Sequence, residues 1–313
     1  WGVDDWIVEL PTGGYDTMSF AAVTQDLDFD LGASVTDGVN AVSCSANYFE
    51  NIIGVASPLQ NNVHLSSALP EILALSGKTI SLGSTPITFS AIDSLRLELN
   101  TGSARTGSIS ITETFEVSGD LILEAEAIGI SAPLHAARMS LSTAGQLILP
   151  QSAVDDSGSN DLGLIAADEL RIVADRGVGS PTAPLYIQPL SASAQKVEVR
   201  TEGAAGIHLN SRTNLEIGGL SDIIGNSDPA DDLLGFSTGS AGDITVTVLS
   251  GGLTVSELVD ATGGDIVFTT ESIEILSHLR SYDLGPTDPR GTLALRPLTI
   301  DRSIGLASEE GTS

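Results

Sequence analysis

Apolar and polar side chains alternate along most of the chain in short runs cut by glycine. Gly242-Asp243-Ile244-Thr245-Val246-Thr247-Val248 is followed by a turn at Ser250-Gly251-Gly252 and then Leu253-Thr254-Val255. A second turn at Thr262-Gly263-Gly264 leads into Asp265-Ile266-Val267-Phe268-Thr269, and Ser272-Ile273-Glu274-Ile275 follows. Period-two alternation bounded by Gly predicts β-strands. Leu95-Arg96-Leu97-Glu98-Leu99 is the cleanest case, with three Leu on one face and the charges on the other.

The strands carry a repeating signature. Gly-Asp-Ile-x-Val starts at Gly242, and Gly-Asp-Ile recurs at Gly264. Related runs begin at Gly119, Gly145, Asp168, Lys196, Gly206 and Asn214. A period drifting between roughly 22 and roughly 27 residues predicts solenoid coils, with loops of variable length leaving a constant strand frame. One such coil cannot bury enough apolar surface to fold alone, so stability must come from stacking on neighbours. The expected architecture is all-β, a parallel β-helix over 107–280, preceded by a β junction (1–56) and irregular first coils (57–106). Residues 281–313 read as a further coil continuing into a longer chain, since the sequence opens at Trp1 without Met or a leader.

Composition refines this picture. Aromatics make up only 4% of residues against 41% hydrophobic, so the core must be Ile, Leu, Val and Ala, small enough for a narrow coil. Net charge is −28, which argues against nucleic acid and against an anionic membrane surface. No apolar run is long enough for a spanning helix, so no helical membrane insertion is expected. Cys44 is the only cysteine, which excludes an intrachain disulfide.

Two stretches resemble known families. Asp16-Thr17-Met18-Ser19-Phe20, then Val35-Thr36-Asp37-Gly38-Val39-Asn40, with an Asp-Gly turn, and Glu50-Asn51-Ile52-Ile53-Gly54 resemble junction segments beside RTX-type calcium repeats in giant bacterial exoproteins. Here Val55-Ala56-Ser57-Pro58 follows, and no nonapeptide repeat continues the segment. Downstream, Ile128-Gly129 through Ala132-Pro133-Leu134, its echo from Val178-Gly179 to Pro184-Leu185, the Gly-Asp-Ile-Thr-Val strand and Gly291-Thr292-Leu293-Ala294-Leu295 resemble filamentous-haemagglutinin-type adhesins. That resemblance implies a right-handed parallel β-helix and a surface-adhesion role. The expected function is a non-catalytic structural and adhesive rod of a large secreted or cell-surface protein. Its partners would be a cell-surface or matrix ligand, or other copies of itself. A self-assembling filament or sheath subunit and a polysaccharide-active β-helix enzyme are the alternatives.

Candidate chemistry is sparse. Asp26, Asp28 and Asp30 alternate with Leu27, Phe29 and Leu31, which places the carboxylates on one strand face about 7 Å apart. That spacing suits a calcium site, with Asp16 and Asp37 as further ligands, or the solvated side of an amphipathic strand. Asp155, Asp156 and Asp161 sit in an oxygen-rich loop that reads as half a calcium-binding loop or as a turn; no Glu follows at the twelfth position. Ca2+ is thus the one cofactor to consider. His64, His135, His208 and His278 are almost evenly spaced, about three coils apart, and read as scattered surface or corner residues. No nucleophile elbow, phosphate loop or zinc spacing is present. Residues 107–280 hold only Phe115, Tyr186, Phe236 and Phe268 as aromatics, few for a sugar-stacking groove.

Overall fold

The computed structural model describes residues 107–147, 163–221, 233–239, 241–281 and 291–299, and upstream of them the strand segments between Asp5 and Arg105. Every regular element among the described residues is a β-strand. The strands form two sheets, and the chain alternates between them. From Ser108 onward all the pairings between strands among the described residues are parallel. Among the described residues, antiparallel strand pairing is confined to the part of the chain before Ser108. There Leu27–Asp30, Ser34–Thr36 and Ala41–Ser43 form a meander, and Thr79–Leu82 runs antiparallel to both Ile72–Gly77 and Thr85–Phe89. Thr36 lies opposite Ala41, and the Asp37-Gly38 turn read from the sequence lies outside the described residues.

One inward column shows how the coils stack. Val63, Leu95, Leu121, Met139, Leu170, Val197, Ile217, Val255 and Ile275 lie opposite one another in register along the first sheet. From first to last the column spans roughly 38 Å at ~4.8 Å per step. In the second sheet Leu185, Leu209, Val246, Phe268 and Leu295 form an equivalent column. The inward side chains of both sheets merge into one apolar cluster from Leu27 to Phe268. The architecture is therefore an all-β stack of mostly parallel strands, consistent with a β-solenoid.

The step from coil to coil is less even than the sequence suggests. The step from Ile217 to Val255 is more than twice as long as that from Leu121 to Met139. The glycine-led signature also occurs on both sheets: Gly119 precedes a first-sheet strand and Gly145 a second-sheet strand. Spacing between these two copies therefore measures one full coil plus the passage to the other sheet, whereas Leu170 and Val197 are true ladder partners.

The Gly-Asp-Ile motif has a direct physical cause. Gly206, Gly242, Gly264 and Gly291 stack at one corner, where successive backbones come too close for a side chain. A Cβ on Gly264 would lie 2.4 Å from the Gly242 carbonyl oxygen, and one on Gly291 would lie 1.8 Å from that of Gly264. The Asp that follows ties one coil to the next. Asp243 Oδ1 accepts from the Asp265 N–H at 2.9 Å, and Asp265 Oδ1 accepts from the Thr292 N–H at 2.6 Å and hydroxyl at 2.9 Å. These donors hold the Asp265 carboxyl below the usual carboxylate range. Ile244 and Ile266 then turn inward and are fully buried.

Gln195 interrupts this order. It is fully buried in the column continued by Leu215, Leu253 and Ile273, and neither amide atom has a hydrogen-bond partner.

Two substitutions test the stacking. Gly264→Ala is expected to cost about 1–3 kcal/mol by denaturant unfolding, because the corner cannot open without breaking the next rung. Gln195→Leu is expected to gain about 1–3 kcal/mol in the same assay by removing two unsatisfied buried atoms. A loss of stability would mean that the amide has a partner in solution.

Candidate functional site

Parallel stacking puts side chains from distant sequence positions in columns on the outer face of the first sheet. One column reads Asp120, Arg138, Glu169, Lys196, Glu216, so charge alternates at every rung. At ~4.8 Å spacing each charge has neighbours of opposite sign above and below. Arg138 closes a two-pronged pair with Asp120, Nε to Oδ1 at 2.6 Å and Nη2 to Oδ2 at 2.7 Å. Asp120 is buried, so the pair is partly shielded from water. Further along, Asp260 is paired with Arg280. Burial pushes the Asp260 carboxyl up, but Arg280 and the Thr262 N–H and hydroxyl outweigh it, and the net shift is downward.

The adjacent column reads Ser140, Arg171, Glu198. Arg171 Nη1 donates to Ser140 Oγ at 3.3 Å. Ile122, Ser140, Ser142, Val173 and Glu198 all lie on this outer side and are all buried, so the face is covered. Part of its cover is the segment Gly218–Ser221, which leaves the strand Leu215–Ile217 through two residues with left-handed backbones, Gly218 (φ 104°) and Gly219 (φ 72°). Successive N–H groups from such a turn point the same way. Here they reach three different glutamates. Gly219 N–H donates to Glu257 Oε1 at 3.2 Å, Leu220 N–H to Glu198 Oε1 at 3.2 Å, and Ser221 N–H to Glu169 Oε2 at 3.3 Å. The Ser221 hydroxyl also donates to Glu169. Ser256 Oγ donates to Glu216 Oε1 at 2.9 Å beside this cluster.

Gly218 has a second role. A Cβ there would lie 2.6 Å from Glu257 Cγ, so the glycine makes room for the Glu257 side chain against the segment. The two carboxyls interact, and Glu257 Oε2 is buried without a donor. Burial first, and then the neighbouring Glu257 carboxyl, push the Glu198 carboxyl up to about 7, against the opposing pull of the Leu220 N–H and Arg171. A proton on Glu198 gives Glu257 Oε2 the donor it lacks. Glu198 is thus poised to carry a proton near neutral pH, within an arrangement where Glu257 is its acidic neighbour.

The sequence-predicted residues fall elsewhere. Asp28 and Asp30 lie in the strand Leu27–Asp30, opposite Asn62 and His64. Asp26, Asp155, Asp156 and Asp161, and also Asp16 and Asp37, lie outside the described residues. Among the described residues no group of three or more His, Cys, Asp or Glu is arranged to hold a metal ion. Phe115, Phe236 and Phe268 are fully buried in the core.

The surface reading of the histidines is corrected at one position. His278 is exposed, but His208 is 4% exposed, with Nε2 3.1 Å from the Ala205 carbonyl and Nδ1 unpartnered. Its pattern of alternation points outward; the Ala205–Gly206 corner folds over it. Burial lowers its proton affinity, only partly offset by the Ala205 carbonyl and Asp243.

Comparison with protein-family models, curated proteins and solved structures found no match. The chemistry of the site therefore stands on its own geometry.

The depressed affinity of His208 has a signed consequence. An unfolded chain takes up the proton below the ordinary value of 6.5, whereas the folded one resists it, so stability falls as pH drops from 6.5 toward the folded value. His208→Gln is expected to flatten the pH dependence of the unfolding midpoint below pH 6.5. An unchanged slope would assign that dependence to other groups.

Proposed function

We propose that the chain is a structural and adhesive rod segment of a large secreted or cell-surface protein, built as a right-handed parallel β-helix. The observation that carries this reading is the inward column from Val63 to Ile275, in which each rung buries its apolar side chains against the next. Such a frame is stiff along its axis and presents long, regular faces. The resemblance of the Gly-Asp-Ile strands and the Ala-Pro-Leu corners to filamentous-haemagglutinin-type adhesins supports the adhesive role and the handedness. The charge-alternating column and the stacked Asp243 and Asp265 supply ties between coils on the outside of the same frame.

One observation favours the filament reading as the second choice. In the last described rungs the inward-type residues Ile273, Ile275, Leu279 and Leu295 are only partly buried, and Leu276 and Leu293 are 65% and 49% exposed. An end of this kind accepts further stacking, either from coils of the same polypeptide or from another copy.

Purified protein applied to cells, matrix and acidic polysaccharides separates the readings. The rod reading expects saturable binding to a surface or matrix ligand, with the polysaccharides left intact. Release of new reducing ends would replace it with a polysaccharide-active enzyme, and concentration-dependent fibres without surface binding would replace it with a filament subunit.

A further inference from the structure

The carboxyl cluster on the first sheet joins residues distant in the chain, Glu198 and Glu257, with Glu169 further along the same face. Nothing in the rod reading requires two acids to face each other under a backbone segment. Acids brought together by chance on a chain of net charge −28 would be expected to point apart into water. Here Glu198 is 5% exposed, Gly218 leaves the space that the Glu257 side chain occupies, and Gly219 and Leu220 each donate a backbone N–H to one of the two acids.

We propose that Glu198 and Glu257 form a proton-sharing pair that fastens the strap Gly218–Ser221 to the first sheet, and that loss of the shared proton loosens the strap. With one proton present, Glu198 donates to the buried Glu257 Oε2, and the remaining carboxyl oxygens accept the strap's N–H groups. With the proton gone, two negative charges face each other in a site poor in water. Glu198 is held in a strand at the centre of the sheet, while Glu257 lies at a half-buried corner, so Glu257 is the side chain free to swing out. Its departure takes away the acceptor of the Gly219 N–H and opens the strap to solvent.

The surrounding charges set the balance. On the strand Glu169–Ala174, Arg171 lies opposite Glu198 and favours its ionised form, and Glu169 accepts from the Ser221 N–H and hydroxyl. On Glu198's own strand Lys196 and Arg200 flank it, and Glu216 lies on the next strand opposite Lys196. Among the described residues the strap itself carries no titratable side chain, so its response comes from the sheet beneath it. The segment contributes backbone donors and the Ser221 hydroxyl, and a change in protonation acts on it through those hydrogen bonds.

Strap opening linked to release of one proton strengthens by up to about tenfold per pH unit through the titration range. The test is amide exchange at Gly219, Leu220 and Ser221 on the full chain, corrected for intrinsic exchange rates, from pH 5.5 to 8.5. The inference predicts that strap protection falls by about tenfold or more between pH 6 and pH 8, while the strand Glu169–Ala174 stays protected. Glu198→Gln keeps an acceptor for Leu220 and supplies a permanent donor to Glu257, so its strap is expected to stay protected across the range. A carbonyl ¹³C titration of the wild-type protein gives a readout that needs no variant. Glu198 is expected to titrate near 7. In Glu257→Gln its inflection is expected to move toward the ordinary carboxylate range. A strap whose corrected protection is the same at both pH values, or a loss equally large in Glu198→Gln, would overturn the inference. So would a wild-type Glu198 that titrates with ordinary carboxylates. These outcomes are independent of whether the rod adheres to anything.

Discussion

Close stacking of one coil on the last is the constraint on which the rest of this structure depends. In a parallel ladder each strand lies ~4.8 Å from the next, so a residue's nearest neighbours are its counterparts in the coils above and below. Inside, that rule makes columns such as Leu185, Leu209, Val246, Phe268 and Leu295, where shape must match along the axis. At the corners it makes the glycine stack from Gly206 to Gly291, where no side chain fits. No coil is independent of the next, and the core runs unbroken from Leu27 to Phe268.

The same rule governs charge on the outside. Like charges stacked in one column would repel at every rung, and the chain has 41 acidic residues against 13 basic ones. Arg96, Arg138, Arg171, Lys196, Arg200 and Arg280 all lie on strands of the first sheet. That face therefore holds a large share of the scarce positive charge, arranged so that Arg138 and Lys196 separate Asp120, Glu169 and Glu216. At Glu198 and Glu257 the structure supplies glycine and backbone donors, and the Glu198 carboxyl is pushed up toward its neutral form.

How much of this was legible in the sequence depends on whether a feature is local. The Leu95–Leu99 alternation and the Gly-Asp-Ile strands were legible, because sterics within a few residues dictate them. Gly242 and Gly264 could be matched because that one coil has the expected length, and Ile244 does lie opposite Ile266. The charge column was not legible. Its register depends on coil steps that vary more than twofold, and no local pattern announces that Arg138 will face both Asp120 and Glu169. The Glu198 cluster was hidden for the same reason, and one weak signal went unused: Gly218-Gly219 directly after Leu215-Glu216-Ile217 marks a place where the chain leaves the sheet. His208 looked like a surface residue because its alternation puts it outward, and only the fold of the Ala205–Gly206 corner buries it.

Hydrogen exchange measured along the whole chain tests the central claim, that stability is shared between stacked coils, most directly. Protection should be greatest in the middle rungs, Arg138–Thr143, Glu169–Ala174 and Gln195–Thr201, and should decline steadily toward Leu279–Arg280 and Leu293–Pro297, whose inward faces are half open. Separate blocks that exchange independently, or end rungs as protected as the middle, would contradict a frame in which each coil is held by its neighbours.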